Sequence, residues 1–478
     1  MQLTRPRLAG AAVVFAAAFA LRLPFASEYL WAWDSVLYAR AIDDFDVASG
    51  RPHAPGYLFY ILVARAATWL TRDPNGGLVL VSMVAGAATC AVGFVVGSRL
   101  FGLSVGVLAA AILVADPLLW HYSEVAYPYA LLALLSAIVG GLLWWSRRGA
   151  PARLLAASLA FGIAGGFRQD VLLLLGPLWL WAIVGRGPRL MFTSVVAVAF
   201  GSLAWLVPTA ALSGGLVRYV AVTASQLAGV STLGGSDPQT VEQNLLMTLI
   251  GLRWQLHWAL PLAPLGAWVL LRHHALRSTA WPLALWVVPA VVTYLAFHIG
   301  EWAYTLSVAV PLALLAAVGG GALVDAARPR AARAGVAVAM AGALVLNAHS
   351  FVLGEGRFSA RAIDGHDDGL AIRFAAFRER FPPSETVIIA EGGYQHARYY
   401  LPEYRVFYVP PGARVTRRVL AVGPEVRRAM LFLGEVRAHP RTPVRSVALE
   451  GGLEIRYVSL GRGSRLVVQD RLVSVEND

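Results

Sequence analysis

The stretch at 28–57 reads EYLWAWDSVLYARAIDDFDVASGRPHAPGY, crowded with acids and aromatic rings and closed by a His-Ala-Pro-Gly turn. Directly before it lies an apolar run, 8–24, preceded by Arg5 and Arg7. Trp and Tyr concentrate where a membrane helix meets water, so this pairing places the loop at a lipid–water boundary. Arg5, Arg7 and the small-residue segment Ala18-Phe19-Ala20 also fit a cleavable signal. The loop that follows argues for a retained anchor.

Outward from this loop the chain continues as further apolar runs. A helix needs about 20 mostly apolar residues to cross roughly 30 Å of hydrocarbon. Eleven runs are read as spans: 8–24, 77–97, 104–121, 127–146, 152–168, 171–186, 190–213, 255–272, 281–299, 303–322 and 332–350. Composition agrees, since 58% of the 478 residues are hydrophobic and only 14% are charged. Soluble domains carry roughly a quarter charged residues, so an ordinary soluble enzyme, a disordered chain and a coiled coil are excluded. One cysteine, Cys90, gives no disulfide framework and no cysteine-based zinc site. The net charge of +12 does not indicate nucleic acid, because all 40 basic residues are arginine, a coding bias. Their placement is what informs.

With the N-terminus inside, thirteen arginines fall in inner segments, among them Arg99, Arg147, Arg148, Arg186 and Arg330, against eight on the outer side up to Arg253. Cytoplasmic loops carry the arginine excess, so this is the favoured orientation. A further span at 56–72 would reverse every later loop. That segment carries Arg65 and reads instead as an interfacial helix lying on the outer surface. Twelve of the thirteen acids before 352 fall outside or near outer helix ends, Asp325 being the exception. Most read as a solvated face, and those at helix ends as an outward-facing chemical site. From 352 to 478 the composition turns polar, with nineteen arginines and fifteen acids. Asp367-Asp368 cap a helix running to Phe381, Thr386–Ala390 (TVIIA) reads as a buried strand, Tyr394–Tyr400 as a short helix and Arg405–Val409 as a strand. The expected architecture is therefore a polytopic α-helical membrane domain of about eleven transmembrane helices over 1–351, followed by an extracytoplasmic α/β domain over 352–478. It belongs in the cell membrane, N-terminus cytoplasmic and C-terminal domain outside.

The first outer loop also carries a resemblance. Arg22 closes the first span, Asp34, Tyr38 and Ala39 form Asp-x-x-x-Tyr-Ala, and His53, Pro55 and Gly56 form His-x-Pro-Gly. This order resembles the GT-C fold membrane glycosyltransferases, in particular the protein O-mannosyltransferase and aminoarabinose-transferase branch. The second outer loop, WHYSEVAYPYALL, places Glu124 where that family has another acid. The turn Gly-Phe-Arg-Gln-Asp places Arg168 where it has a basic residue, and Tyr304 with Pro311 matches its Tyr-then-Pro segment. The chain departs from the family at Asp34-Ser35, where Asp-Glu is usual, and at Ala54-Pro55, where Pro-Pro is usual. The resemblance implies an enzyme that moves a sugar from a polyprenyl-phosphate donor to an acceptor hydroxyl on a lipid, glycan or protein at the outer face, with inversion. It implies Asp34 as catalytic base and Glu124 as a second catalytic acid. Arg168, His53, Arg22, Tyr38 and His298 are the candidates for the donor phosphate.

The residues themselves leave alternatives open. Asp34 also fits an acid at the start of a helix over Ser35–Asp44, Asp43, Asp44 and Asp46 read as solvated, and His53 fits a structural role in the proline turn. Arg168 either snorkels or binds an anion, and His298 with Glu301 either meets the donor or forms a local ion pair. His121 and Glu124, three apart on a helix, could join Asp34 around a divalent cation, Mg or Mn, although isolated His-x-x-Glu pairs usually bind nothing. A flippase for lipid-linked glycans would need ionisable residues at mid-membrane and inverted repeats, and neither is seen. A non-catalytic scaffold would leave the Asp34 loop without a purpose. The topology has a direct check: reporters fused at Gly149 or Arg330 should be active only inside, and one after Asp478 only outside. An inside-active C-terminal fusion would overturn the eleven-span reading.

Overall fold

The computed structural model describes residues 5–233, 238–296, 299–410, 417–434, 436–461, 464–469 and 472–476. By internal contact the chain divides into two compact units, Met1–Ser27 with Tyr38–Ile363, and Glu28–Leu37 with Asp364–Asp478.

The first unit is helical. It opens with α1 (Arg5–Arg22), the later part of α2 (Trp33–Asp43), α3 (Leu58–Thr71) and α4 (Pro74–Leu100). Then come α5 (Leu103–Val114), α6 (Pro117–Ser123), α7 (Tyr129–Ser146), α8 (Pro151–Ala164), α9 (Asp170–Ile183) and α10 (Pro188–Leu212). It continues through α11 (Leu216–Leu233), α12 (Pro238–Leu256), α13 (Leu262–Arg272), α14 (His274–Ala296), α15 (Ala309–Ala326) and α16 (Arg330–Val352). Many starts are written locally. Proline opens α4, α6, α8, α10 and α12, at the position where its missing N–H is one no helix uses. Asp73 and Asp116 cap α4 and α6, accepting from Gly76 N at 2.6 Å and Leu119 N at 2.9 Å.

Among the described residues seven helical segments are long and apolar enough to cross a membrane. The pair α5 and α6, bent by 59° where Asp116 and Pro117 restart the helix, makes an eighth. This is a multi-pass membrane protein. The other three expected spans are shorter apolar helices, α8 and α9 of 14 residues and α13 of 11. At 1.5 Å per residue these reach only about 16–21 Å, which is why they fall short of a full crossing. The expected interfacial segment 56–72 is α3, and α11 and α12 are helices the hydropathy pattern did not announce as spans.

Glycine lets these helices approach at backbone distance. A methyl group at Gly266 of α13 would overlap the carbonyl oxygen of Leu315 in α15, and one at Gly319 would overlap that of Leu262. Without a hydrophobic drive between helices in lipid, such small-residue contacts are what packs them.

The second unit contains Glu28–Leu37, most of α17 (Ala360–Arg380), β1 (Thr386–Ala390), α18 (Tyr394–Tyr400) and β2 (Arg405–Tyr408). Seven strands follow: β3 (Arg418–Leu420), β4 (Arg428–Leu431), β5 (Arg437–Ala438), β6 (Val444–Ala448), β7 (Glu454–Ser459), β8 (Arg465–Gln469) and β9 (Leu472–Glu476). One sheet has the order β2-β1-β4-β7-β6, with β1 parallel to both neighbours, and the other β3-β8-β9-β5. All five residues of β1 are buried, as a strand covered on both faces requires. Ile388 and Ala390 join Phe374 and Phe377 of α17 in one core, while Val387 and Ile389 join Leu466 and Val468 of the second sheet in another. The expected strand at 405–409 and the helix at 394–400 are both present. The helix expected after Asp367 begins seven residues earlier, at Ala360.

Gly266→Leu should destabilise the purified protein strongly, at or above the roughly 3 kcal/mol upper range for overpacking, because backbone cannot move aside as a side chain can. Gly321→Ala, which meets nothing within 4 Å, should be neutral or mildly stabilising. Thermal unfolding of both variants in detergent reads the difference.

Candidate functional site

Within the helical unit, the loop after α2 and the turn between α8 and α9 line a cavity of about 340 Å³. Asp46 and Arg51 pin the loop by exchanging backbone hydrogen bonds at 2.7 and 2.9 Å, and Tyr219 Oη donates to the Pro55 carbonyl at 2.9 Å. Gly56 has φ of +119°, a conformation open to glycine alone, and its neighbours Thr209 and Val47 leave no room for a side chain. The loop thereby presents His53 and Tyr57 to the cavity, with His53 Nε2 3.1 Å from the Tyr57 hydroxyl.

Across from them stands Arg168, 4% exposed. Its Nε lies 3.2 Å from both carboxylate oxygens of Asp170 and its Nη2 2.7 Å from Oδ2. The guanidinium carbon sits 4.6, 5.4 and 5.9 Å from the ring centres of Tyr129, Tyr304 and Tyr57. Carboxylate and ring faces together offset the loss of water around a buried cation. Beside it, Gln169 lines the cavity with both amide atoms buried and unpartnered among the described residues. Buried polar groups are nearly always hydrogen-bonded, so an orphaned amide at a cavity wall is suited to a polar ligand. Tyr38 is buried behind the loop, its ring 5.5, 5.3 and 5.2 Å from those of His53, Tyr57 and Tyr60.

A second polar cluster forms around Arg22. Its Nη1 donates to the Ala18 carbonyl at 2.9 Å at the end of α1, and the guanidinium faces the Trp120 ring at 5.6 Å. Arg22 Nε and Nη2 and both carboxylate oxygens of Glu124 are buried without hydrogen-bond partners among the described residues. Burial pushes the Glu124 carboxyl from 4.5 up to about 8, against the pull of the Arg22 charge. The burial of Glu124 thus outweighs the pull of the Arg22 charge.

Glu301 accepts from the Tyr122 hydroxyl at 2.9 Å, and His121 packs its ring against Phe358 at 5.6 Å. His298 lies outside the described residues. Among the described residues no three His, Cys, Asp or Glu side chains come together to hold a metal ion.

Asp34 belongs to the other unit, partly buried in the first turn of α2. Its neighbours Trp31 and Trp33 are held there, Trp31 against His366 at 4.5 Å between ring centres and Trp33 against Tyr394 and Tyr408 at 6.0 and 5.5 Å. The backbone is tied as well: Leu30 N donates to the Tyr400 hydroxyl at 2.9 Å, and His396 Nε2 donates to the Leu30 carbonyl at 2.7 Å. Burial pushes His396 down to about 4, so it does this as a neutral ring.

Of the candidates expected from the sequence, His53 and Arg168 line this cavity and Tyr38, Arg22 and Glu124 do not, while Gln169 and Asp170 line it without having been expected. The run Phe167-Arg168-Gln169-Asp170 itself was the signal: two polar residues beside an arginine at a helix start.

No family model matches the sequence, and no curated protein matches it. Solved structures do match in fold. ArnT from Cupriavidus metallidurans bound to undecaprenyl phosphate superposes with a TM-score of 0.60 at 14% identity, over 95% of this chain and 97% of that one. The oligosaccharyltransferase of Archaeoglobus fulgidus, tethered to an acceptor peptide, matches with a TM-score of 0.50 at 13% identity, over 83% of this chain and 63% of that one. Its complex as AglB with an inhibitory peptide and a dolichol-phosphate matches at 0.50 and 12%, over 84% and 64%. The chain has the GT-C fold of these membrane glycosyltransferases.

Glu124 yields a pH prediction. With a carboxyl near 8 when folded and 4.5 when unfolded, the folded state holds the extra proton between those values. Its contribution is fully present below the unfolded value and is lost as pH rises through the folded one. Glu124→Gln should therefore gain on the parent progressively from about pH 5 to 8 in thermal melts. Parallel profiles would show Glu124 ionised when folded.

Proposed function

We propose that this protein is a membrane glycosyltransferase that moves a sugar from a polyprenyl-phosphate carrier to an acceptor hydroxyl on a lipid, glycan or protein, at the extracytoplasmic face and with inversion. The observation that carries the reading is the cavity in which Arg168 stands with His53, Tyr57 and Gln169. It offers an anion a buried guanidinium, an imidazole, a phenol and an amide within one small space. The fold shared with ArnT, whose structure holds undecaprenyl phosphate, supports phosphate as that anion.

The chemistry asks little else of the protein. A polyprenyl phosphate leaves with its negative charge, which a cation stabilises as it grows. No general acid is required. The acceptor oxygen attacks the anomeric carbon as the bond to phosphate breaks, and its proton passes to a carboxylate acting as general base. Asp34 is proposed for that role on its family position. Glu124, neutral near pH 7 by its raised carboxyl, is better suited to hydrogen-bond donation than to taking a proton.

Product analysis with purified, reconstituted protein and defined polyprenyl-phosphate sugars tests this. Arg168→Ala should lose donor use by about 2–5 kcal/mol, with lysine restoring part of it as charge without the planar fork. Asp34→Asn should lower turnover by about 10²–10⁴ while donor binding survives. Unchanged donor kinetics in Arg168→Ala would return that residue to a structural role, and normal turnover in Asp34→Asn would remove the base.

A further inference from the structure

Helices α9 and α14, which line the Arg168 cavity, and α7, whose Tyr129 ring lies under Arg168, reach a second pocket at their other ends. The 18-residue α7 begins at Tyr129, under Arg168, and ends at Ser146, about 27 Å away. Likewise α9 runs from Asp170 to Trp181 and beyond, and α14 from Ser278 and Thr279 to Thr293 and Tyr294. At this far end a pocket of about 250 Å³ is walled by Trp144, Trp145 and Trp181 and carries Arg147 and Arg148 with the hydroxyls of Ser278 and Thr279.

The pocket is built rather than incidental. Arg147 donates to the Val184 carbonyl and lies over the Trp181 ring at 5.3 Å. Arg186 fixes the turn beneath it through the carbonyls of Ser146, Arg147 and Gly149 at 2.6–2.7 Å. Arg99, at the end of α4, stacks on Trp145 at 4.2 Å. Trp145 Nε1 is buried with no partner among the described residues, an indole donor left over in a cationic wall. Tryptophan marks the depth of the lipid headgroups, and basic pockets between membrane helices at that depth take anionic headgroups.

We propose that this pocket binds the phosphodiester headgroup of an anionic phospholipid. The guanidinium forks of Arg147 and Arg148 match phosphate oxygens, the hydroxyls of Ser278 and Thr279 take the remaining acceptor positions, and the tryptophans flank the glycerol and upper acyl chains. Such a lipid would join the ends of α7, α9 and α14, the helices whose opposite ends form the Arg168 cavity.

Native mass spectrometry of the delipidated full chain, titrated with phosphatidylglycerol, phosphatidylcholine or inorganic phosphate, tests the assignment. Phosphatidylglycerol should bind in preference to phosphatidylcholine, and millimolar inorganic phosphate should not displace it. Arg148→Gln, at an exposed residue, should weaken binding about fivefold. Arg147→Lys should weaken it less and keep the fold. Arg330→Gln, an exposed arginine at the start of α16, should leave binding unchanged. Equal binding of phosphatidylcholine, or an equal loss in Arg330→Gln, would overturn the site in favour of diffuse attraction. Displacement by low inorganic phosphate would make it a free-phosphate site instead.

Discussion

A guanidinium held almost out of water governs the end of the helical unit where α8 turns into α9. Removing an arginine from water carries a penalty of several kcal/mol unless its charge and its N–H groups are met. Asp170 meets the charge from two residues away, and Tyr57, Tyr129 and Tyr304 supply ring faces from three other parts of the chain. Each has its own support: Tyr57 the pinned loop, Tyr129 the start of α7, and Tyr304 the turn leading into α15. The turn that carries Arg168 is tight as well, for Gly166 faces Phe59 and Trp205 where no side chain would fit. An ion pair already made leaves a cation that a ligand must share rather than fill. On the proposed reading, that suits a group which has to bind and then release an anion.

The same economy recurs elsewhere in the helical unit. Helices α13 and α15 meet backbone to backbone through Gly266 and Gly319. One end of α7, α9 and α14 holds Arg168 and its tyrosines, and the other holds Arg147 and its tryptophans. Glu124 and Arg22 show the opposite situation, two ionisable groups buried side by side without a direct bond. Their unsatisfied atoms make them the part of the unit most dependent on what occupies the space around them.

Much of this was legible in the sequence, and what was not failed for physical reasons. The strand TVIIA and the helix at 394–400 were readable because length, β-branching and flanking glycines act locally. The helix at 56–72 was readable because Arg65 spoils a span, and the Arg65 Nε does in fact end on the Ile42 carbonyl at 2.6 Å. Hydropathy could not separate a full crossing from the short helices α8, α9 and α13, since apolar residues in the adjoining turns extend the run without extending the helix. Arg168 stood out as a lone charge at a helix end. Gln169 did not, because an uncharged amide is informative only once its partners are known to be missing.

The hardest feature to read was the destination of residues 28–37. An aromatic loop after a membrane helix looks like an interface anchor, and nothing within it says otherwise. Its partners, Tyr400, His396 and Asp367, are 339 to 370 positions away. They satisfy the backbone of Glu28 and Leu30 with side-chain groups, where a strand or helix would have used its own main chain. A loop ordered in this way has no conformation independent of those side chains, because each unmet backbone group would have to return to water. The helix that begins with Trp33 and Asp34 starts in the C-terminal unit and finishes, from Tyr38, in the helical one. Asp34 thus falls in the same compact unit as residues at the far end of the chain.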